Sequence, residues 1–275
     1  MKRQQTCGNP TLQEVFYDNG SSAHMLHMHP ERLELLYIAG GSGRLRVGNN
    51  WYFTHKGNFV VCNPQTLHGQ DPEQRVWSPT YCVAITGVQL PELPAGWLIE
   101  SGRNPVIEMP ADTEWLAREW IQSLHVFFQE PERDEALCQA CMEALFHLVW
   151  RELRRRDEPN EPYLQRETPI LRQIFSYLNE HYREKIFLTD VAQELNVSES
   201  HVSHTFRRAT GMSPMQYVLY RRIGDAQSML VETNEPIHEI ETKLGFGSSC
   251  HLSATFRKYV GSSPSEYRKQ FCRND

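Results

Sequence analysis

The feature that most constrains this chain is a repeat within its last hundred residues. The stretch SHTFRRATGMSPMQY at positions 203–217 recurs as SATFRKYVGSSPSEY at positions 253–267. Eight residues of the first copy are unchanged in the second, fifty positions later. A self-similar segment of this kind indicates one supersecondary motif that the chain uses twice.

Each copy contains the signals for two helices joined by a tight turn. The pattern predicts that the first helix ends at Leu195 or Leu244, and the next residue is Asn196 or Gly245. Asparagine and glycine are the residue types that best tolerate the left-handed backbone with which many helices end. In the first copy Ser198 then provides an N-cap for a second helix.

The second helix of each copy has one apolar face and a basic end. Its spacing buries Val202 and Phe206 in the first copy and Leu252 and Phe256 in the second. Arg-Arg or Arg-Lys follows the phenylalanine. A helix, a tight turn and a small basic second helix are typical of the helix-turn-helix plan. Because the motif occurs twice, we expect DNA binding rather than a helical repeat for protein contact.

These copies resemble the paired motif of AraC/XylS-type transcription regulators, most closely in LGF at 244–246 and HLSATFRKYVGSSPSEYR at 251–268. The resemblance covers residues 169–271. It implies a regulator that binds specific sequences of double-stranded DNA, with RNA polymerase as a further candidate partner and with neither enzyme activity nor a cofactor. In that family a long helix, here 214–230, joins the two units and sets their second helices into successive major grooves.

The resemblance also assigns residues to the DNA. The proposed contacts are Ser200, Ser203, His204, Arg207 and Arg208 in the first unit, and Ser249, Cys250, Ser253, Arg257 and Lys258 in the second. His204 and Ala254 stand where the family often has an arginine, the residue that makes the commonest specific contact to guanine. We therefore expect the first unit to supply most base discrimination. A further departure is Glu241, at a position usually small, which either turns outward or weakens its unit.

Residues 10–110 have a different pattern, with short apolar segments separated by Gly-Gly, Gly-Asn-Asn and Asn-Pro turns. The predicted strands are Glu34–Ile38, Gly43–Val47, Trp51–Phe53, Asn58–Cys62 and Tyr81–Thr86. They favour an all-β barrel. Two helices, 111–129 and 134–156, follow with apolar stripes. We predict an N-terminal β domain with two helices at 1–156, a Pro-rich charged linker at 157–168, and an all-α DNA-binding domain at 169–275.

The β region resembles a cupin barrel in His27-x-His29-x4-Glu34 and in His68. In metal-using cupins such residues gather around one ion, and this donor set would suit Mn, Fe, Ni or Zn. The alternatives are an effector pocket and a structural hydrogen-bond network. We expect a small-molecule effector pocket and no metal, in a site that suits a sugar or a small organic acid. The predicted pocket residues are His27, His29, Arg32, Glu34, Tyr37, Trp51 and His68.

The remaining features limit the class of protein. The net charge is −6, and the excess of acidic residues is in the N-terminal region, since residues 169–275 hold 13 basic against 12 acidic residues. The N-terminus shows no secretory signal and the chain has no membrane-spanning apolar run.

The seven cysteines are irregularly spaced, which suits a reducing cytoplasm. We expect no disulfide between Cys62 and Cys82, and we expect Cys138 and Cys141 to lie in a helix core. We expect a cytoplasmic homodimer joined through 134–156.

Two rival functions stay open from the sequence. One is a metal-dependent cupin enzyme with an appended DNA-binding domain. The other is an architectural or partner-binding protein that responds to no effector. Bound metal with turnover would favour the first, and an empty, collapsed barrel would favour the second.

Overall fold

The structure is a computed structural model that describes residues 8–21, 23–71, 74, 77–156, 168–247 and 249–271. Its contacts divide the chain into two compact units. The β unit consists of Met1–Ser21, Met28–His68 and Gln74–Tyr163. The helical unit consists of Ser22–His27, Gly69–Glu73 and Leu164–Asp275. The predicted linker 157–168 lies, except for Thr168, outside the described residues.

The N-terminal region forms eight strands in the described part of the chain. They are β1 (Gly8–Asp18), β2 (Leu33–Ile38), β3 (Ser42–Val47), β4 (Asn50–His55), β5 (Asn58–Cys62), β6 (His68–Gln70), β7 (Thr80–Val88) and β8 (Val106–Glu108). One sheet has the order β1-β7-β2-β5-β8 and the other has the order β4-β3-β6. The register pairs Glu34 with Cys62 on β5 and with Ala84 on β7. The predicted β architecture is confirmed.

Alternation along the strands gives the larger sheet two different faces. On β2, Leu33, Leu35 and Tyr37 belong to one core cluster, whereas Leu36 belongs to another. The second cluster also includes Leu45 of the smaller sheet, so it fills the space between the two sheets. Glu34 shares the Leu36 face of β2 because the two residues are two positions apart. The strand pattern therefore directs Glu34 toward the interior between the sheets.

Two helices cover the other face of the larger sheet. They are α1 (Ala111–Gln129) and α2 (Glu135–Arg155), close to the predicted bounds. The side chain of Asp134 caps α2 by accepting a hydrogen bond from the backbone N–H of Leu137. Buried positions on α1 and α2, including Cys138, complete the cluster that contains Tyr37. Leu137, in the first turn of α2, is 42% exposed, although the apolar stripe predicted for 134–156 is otherwise largely buried. No helix in the described residues is long and apolar enough to cross a membrane.

The C-terminal region is all helical in its described part, as predicted. The helices are α3 (Pro169–His181), α4 (Leu188–Glu194), α5 (Glu199–Thr210), α6 (Pro214–Glu232), α7 (Ile237–Lys243), α8 (Ser249–Val260) and α9 (Pro264–Phe271). Ser213 caps α6 and Pro214 occupies its first turn, where a missing N–H has no consequence. Helix α6 joins the two repeated units, as the resemblance implied.

Helix α6 also holds a short segment from early in the chain within the helical unit. The side-chain amide of Gln227 donates to the carbonyl of Ala23 and its oxygen accepts from the N–H of Met25, both at 2.8 Å. A Cβ on Gly224 would lie 2.0 Å from the carbonyl oxygen of Leu26. Only glycine therefore allows this approach of backbone to helix.

The helix-turn-helix pair and a buried histidine–carboxylate cluster

The turn of the first repeated unit is built by local signals. Asn196 follows α4 with a φ of 52°, the left-handed conformation that asparagine adopts more readily than most residues. The N–H of Val197 donates back to the carbonyl of Ala192 at 3.0 Å. The hydroxyl of Ser198 then accepts from the N–H of His201 at 3.1 Å and starts α5. These contacts set the angle between α4 and α5.

Helix α5 separates its packing residues from its exposed ones. Val202 and Phe206 are fully buried. The residues assigned to DNA lie on the other side: Ser200, His204, Arg207 and Arg208 are exposed and Ser203 is half-buried. A concave surface adjoins the start of this helix and is lined by Thr189, Ala192, Gln193, Asn196, Val197, Ser198 and Glu199. The assigned residues of this unit therefore share one accessible region.

The second unit repeats this arrangement with different turn chemistry. Gly245 takes the left-handed position with a φ of 68°, and a Cβ there would lie 2.3 Å from the carbonyl oxygen of Arg183. On α8, Leu252 and Phe256 are buried. The remaining assigned residues are Arg257 and Lys258, exposed, and Ser253, half-buried. Ser249 and Cys250 begin α8, but their side chains lie outside the described residues.

Burial repeats position by position between the two second helices. Residues 201–210 and 251–260 have the same order of buried, half-buried and exposed positions. Both helices end at a left-handed glycine, Gly211 or Gly261. The sequence repeat is therefore a structural repeat, and the exposed positions of α5 have direct counterparts on α8.

One polar difference between the units was not anticipated. Arg257 lies 3.4 Å from the carboxylate of Glu266, which also accepts from the backbone N–H of Ser263. The corresponding position of the first unit is Gln216, which accepts from Ser213 in the same way. A Ser-x-x-Glu or Ser-x-x-Gln pattern is readable from sequence as a capping box. The position of the Glu266 carboxylate at the start of α9 could therefore have been predicted from the sequence.

Glu241 is one of the buried residues of α7, with 7% exposure. The expectation that it turns outward is wrong. Burying a carboxylate removes its hydration, which is unfavourable unless hydrogen bonds or charges compensate. The second alternative, that Glu241 weakens its unit, stays a prediction.

In the β unit, three of the predicted pocket residues form a compact cluster. The Nε2 atom of His29 lies 3.1 Å from one oxygen of Glu34, and the Nε2 atom of His68 lies 2.9 Å from the other. All three residues are buried, with exposures of 9%, 2% and 3%. The carbonyl of Thr66 faces Nδ1 of His68 at 2.9 Å, so Nδ1 carries a proton. Glu34 is on β2 of the larger sheet and His68 is on β6 of the smaller one, so the packing of the two sheets joins residues 34 positions apart.

Glu34 is an ionised carboxylate in this cluster. Burial by itself raises the pKa of Glu34, but the imidazoles of His29 and His68 beside its two oxygens hold that pKa well below the usual value. The site therefore has a buried negative charge. Such a charge is stable only where cations or hydrogen-bond donors surround it.

Arg32 supplies that cation. Its Nε lies 3.3 Å from Glu34, and its two terminal nitrogens lie 3.1 Å from Glu14 and from Nε2 of His29. Glu14, on β1, is the pocket residue that the sequence analysis missed. No sequence motif near Glu14 indicates a role in the pocket, because its contact with Arg32 depends on the pairing of β1 with β7 in the sheet.

Two predicted pocket residues do not join the cluster. Tyr37 is on the opposite face of β2 from Glu34, and its hydroxyl donates to Glu114 of α1 at 2.7 Å. The error is one of strand alternation, since positions 34 and 37 differ by an odd number. Trp51 stacks instead with the guanidinium groups of Arg44 and Arg46, at 5.7 and 5.8 Å.

The third predicted histidine belongs to the helical unit, and two free cysteines are buried in the β unit. His27 belongs to the segment Ser22–His27 of the helical unit, where its Nδ1 lies 2.8 Å from the carbonyl of Met25. Cys62 and Cys82 are buried free thiols, and burial raises the pKa of each. A thiol that stays protonated is a poor nucleophile, so these two cysteines serve as packing residues.

The geometry of the two units agrees with comparisons to known families. Residues 13–161 match the AraC-like ligand binding domain and residues 191–270 match a helix-turn-helix domain. The chain belongs to the AraC family of transcription regulators. It is a DNA-binding transcription regulator with an N-terminal ligand-binding domain.

Relatives of this AraC-family chain are themselves transcription regulators. It is 27% identical over 247 residues to the HTH-type transcriptional regulator YdiP of Escherichia coli, and this alignment covers 89% of this chain and 81% of YdiP. It is 24% identical to the activator RhaS of an Enterobacter strain, over 81% of this chain and 80% of RhaS. The C-terminal domain of AraT from Geobacillus stearothermophilus is 30% identical, with a TM-score of 0.39, over 40% of this chain and 93% of that domain.

The cupin likeness implies a metal ion, and the donor set satisfies only part of that requirement. His29, His68 and Glu34 provide two imidazoles and a carboxylate within 4.8 Å of one another, the donor types of a facial triad. His68 is oriented as a ligand would be, with Nδ1 bonded to a carbonyl. Arg32 lies against the other two residues. The cluster as it stands therefore does not fit a divalent cation.

Proposed function

We propose that this AraC-family regulator reads DNA with α5 and α8 and responds to a small molecule bound in its β unit. The observation that supports it most is the matched exposure of the two helices, each with a basic pair at the same positions. The proposed DNA contacts are Ser200, Ser203, His204, Arg207, Arg208, Ser249, Cys250, Ser253, Arg257 and Lys258. Arg208, Arg257 and Lys258 suit phosphate oxygens, which position a protein without reading sequence.

The two units contribute differently in this proposal. His204 offers a ring nitrogen at the exposed position of α5, whereas Ala254 offers only a methyl group at the corresponding position of α8. Base edges are read mainly through hydrogen bonds in the major groove. The first unit therefore discriminates bases, and the second holds the backbone through Arg257 and Lys258.

The effector site is proposed at the cluster of His29, Arg32, Glu34 and His68. Carboxylates accept hydrogen bonds from hydroxyl groups, and Glu14 extends the same polar surface. An organic acid would place its own carboxylate against Glu14 and Glu34, which is unfavourable. Of the two expected chemistries, a neutral polyhydroxyl compound such as a sugar is the better match.

The remaining assignments follow from the role as a regulator. We propose a homodimer formed through α1 and α2, since exposed apolar side chains occur on both helices, namely Trp115, Val126 and Leu137. A dimer would suit paired DNA half-sites. RNA polymerase is a candidate partner, the protein acts in the cytoplasm where its DNA target is found, and it has no enzymatic role. The domain bounds 1–156, 157–168 and 169–275 remain our proposal.

DNA-binding isotherms test this function directly. Labelled duplex from upstream of the protein's own gene is titrated from low to physiological salt, with random-sequence duplex as competitor. We expect a specific complex whose logarithmic salt slope falls by about 1 for each phosphate contact removed, as in Arg208→Ala and Arg257→Ala. Lys269→Ala is the matched control, because Lys269 is exposed in the same unit but lies on α9.

Each outcome of the titration has a separate meaning. If the protein shows no preference over random DNA at any salt, the helix-turn-helix units are not sequence readers. If a specific complex forms, sugars are added to the same assay. An effector must shift DNA affinity by the same factor by which DNA shifts effector affinity. A sugar that binds without shifting DNA affinity would contradict the proposed control.

A further inference from the structure

Arg32 contacts three residues at the cluster, two carboxylates and one imidazole. Its Nη1 lies 3.1 Å from Glu14, its Nη2 lies 3.1 Å from Nε2 of His29, and its Nε lies 3.3 Å from Glu34. The side chain of Arg32 is 21% exposed and that of Glu34 is 3% exposed. A guanidinium stays charged at every pH at which the protein is folded. The cluster therefore contains a permanent cation.

A metal ion would need electron pairs that are already engaged. Nε2 of His29 faces Arg32 and an oxygen of Glu34 at the same distance, 3.1 Å. If Nε2 carries a proton, it donates to Glu34 and has no lone pair. If Nε2 carries none, its lone pair accepts from Arg32, since a guanidinium has no acceptor. In both protonation states, the Nε2 atom of His29 has no free lone pair for a metal ion at the Glu34 side of the ring.

The carboxylate of Glu34 is engaged on both oxygens. One oxygen contacts His29 and Arg32, and the other lies 2.9 Å from Nε2 of His68. A divalent ion bound to this carboxylate would also lie within a few ångströms of the Arg32 guanidinium. Two cations at that separation in a partly buried site repel strongly. Metal binding would thus require the Arg32 guanidinium to move away from Glu34 and His29.

We propose that Arg32 is the resident cation of this cluster, that it closes the β unit to divalent metals, and that its removal opens a two-histidine, one-carboxylate metal site. The guanidinium takes the place that an ion would take. It neutralises Glu34, links it to Glu14 on β1, and fixes the ring of His29. The inference concerns metal specificity and stands independently of the DNA contacts proposed above.

Cobalt titration of the full chain tests this proposal, with Co²⁺ as the probe and its visible absorption as the readout. Four proteins are compared: wild type, Arg32→Met, Glu34→Gln, and Arg32→Met combined with Glu34→Gln. Methionine keeps much of the length and apolar stem of arginine without its charge. Because the chain has 12 histidines and seven cysteines, weak surface binding is expected in every variant. The specific signal is the part that Glu34→Gln removes.

We expect wild type to show no Co²⁺ binding that depends on Glu34. Arg32→Met should gain about one equivalent, and combining it with Glu34→Gln should weaken that binding about tenfold or more, as the loss of a ligand does. Far-UV circular dichroism shows whether each variant is folded. Glu14→Gln, which leaves Arg32 on Glu34 and His29, should gain no site.

Three results would overturn the proposal. The first is wild-type protein that binds one equivalent of Co²⁺ through Glu34 as tightly as Arg32→Met does. The second is a folded Arg32→Met that gains no site. The third is gain of an equal site by Glu14→Gln. If Arg32→Met does not fold, the comparison of wild type with Glu34→Gln still tests the proposal. Co²⁺ binding by wild type that depends on Glu34 would contradict the claim that Arg32 closes the site to metals. The absence of such binding would support that claim.

Discussion

The two helix-turn-helix units share a backbone plan and differ in what supports it. In the first, Phe206 packs its ring against Phe175 of α3 and Tyr217 of α6, with centroids 4.8 and 5.5 Å away. In the second, Phe256 has Tyr267 of α9 at 5.4 Å. The first unit thus has an additional helix, α3, in its aromatic core. The repeated phenylalanine and tyrosine carry the common fold, and the neighbours decide how firmly each copy is held.

The exposed surfaces differ more than the cores do. The first unit has the exposed His204 and the half-buried, uncharged Gln216, and the second has the exposed Ala254 and Glu266. Hydrogen bonds from Ser263 lower the pKa of Glu266, so its charge persists beside Arg257. The two units therefore share one pattern of burial, whereas positions 204/254 and 216/266 differ in the chemistry that they offer to DNA.

The largest expected effect comes from the aromatic cores. Phe206→Ala and Phe256→Ala should each lower the free energy of unfolding by about 3–5 kcal/mol, since both side chains are fully buried. Phe206→Ala should cost more, because Phe175 and Tyr217 both lose their ring contact. Urea unfolding of the full chain, followed by the helical circular dichroism signal, measures the two losses. Equal losses would mean that α3 adds no packing energy to the first unit.

The next effect concerns the two turns. Gly245→Ala should destabilise by about 2 kcal/mol or more, because a left-handed L-residue costs about 1–2 kcal/mol and its Cβ meets the backbone of Arg183. Asn196→Gly should be close to neutral, since glycine adopts the left-handed conformation freely. Thermal unfolding of both variants provides the comparison. A tolerated Gly245→Ala would show that the second turn is looser than the structure indicates.

Base recognition should respond at the exposed position that differs. Ala254→Arg should create a new base preference in the second half-site worth about 1–3 kcal/mol, the range for a bidentate contact with guanine. His204→Ala should weaken discrimination by about 1 kcal/mol without unfolding α5. Binding to a library of duplexes varied at each half-site measures both. If Ala254→Arg changes neither affinity nor preference, α8 does not enter the groove as proposed.

The smallest expected effect comes from exchanging the residues that cap α6 and α9. Glu266→Gln should free Arg257 for a phosphate and raise DNA affinity about threefold at low salt, whereas Gln216→Glu should lower affinity by a similar factor. Both effects should fade as salt screens the charges. Glutamine and glutamate serve equally in the capping box, so the circular dichroism spectrum should not change. Changes of the same sign in the two variants would contradict this explanation.

Much of the helical unit could be predicted because its signals are local. The left-handed Asn196 and Gly245 and the N-caps Ser198 and Ser213 act within a few residues of themselves. The apolar spacing of α5 and α8 likewise depends on one turn of helix. For such features, the residues that determine the local structure are the same few residues that form it.

The candidate cluster of the β unit could be predicted only in part. The pattern of His29, Glu34 and His68 indicated a shared site, and the packing of β2 and β6 in two facing sheets brings Glu34 and His68 together beside His29. The prediction for Tyr37 was wrong because Tyr37 and Glu34 lie an odd number of positions apart on β2 and face opposite sides of the sheet. Arg32 was named as a pocket residue, but its ion pair with Glu14 depends on the position of β1 in the sheet.

The sequence alone thus determined the repeat, the turns, the helix caps and the identity of the buried aromatic residues, since these depend on neighbours along the chain. Tertiary structure decided which face of β2 carries Glu34, that Glu241 is buried, and that Arg32 lies on Glu34 and His29. It also placed Gln227 on the backbone of Ala23 and Met25, about two hundred positions earlier in the chain. Such contacts depend on strand order and on helix packing between distant segments, and no local pattern of residues encodes either.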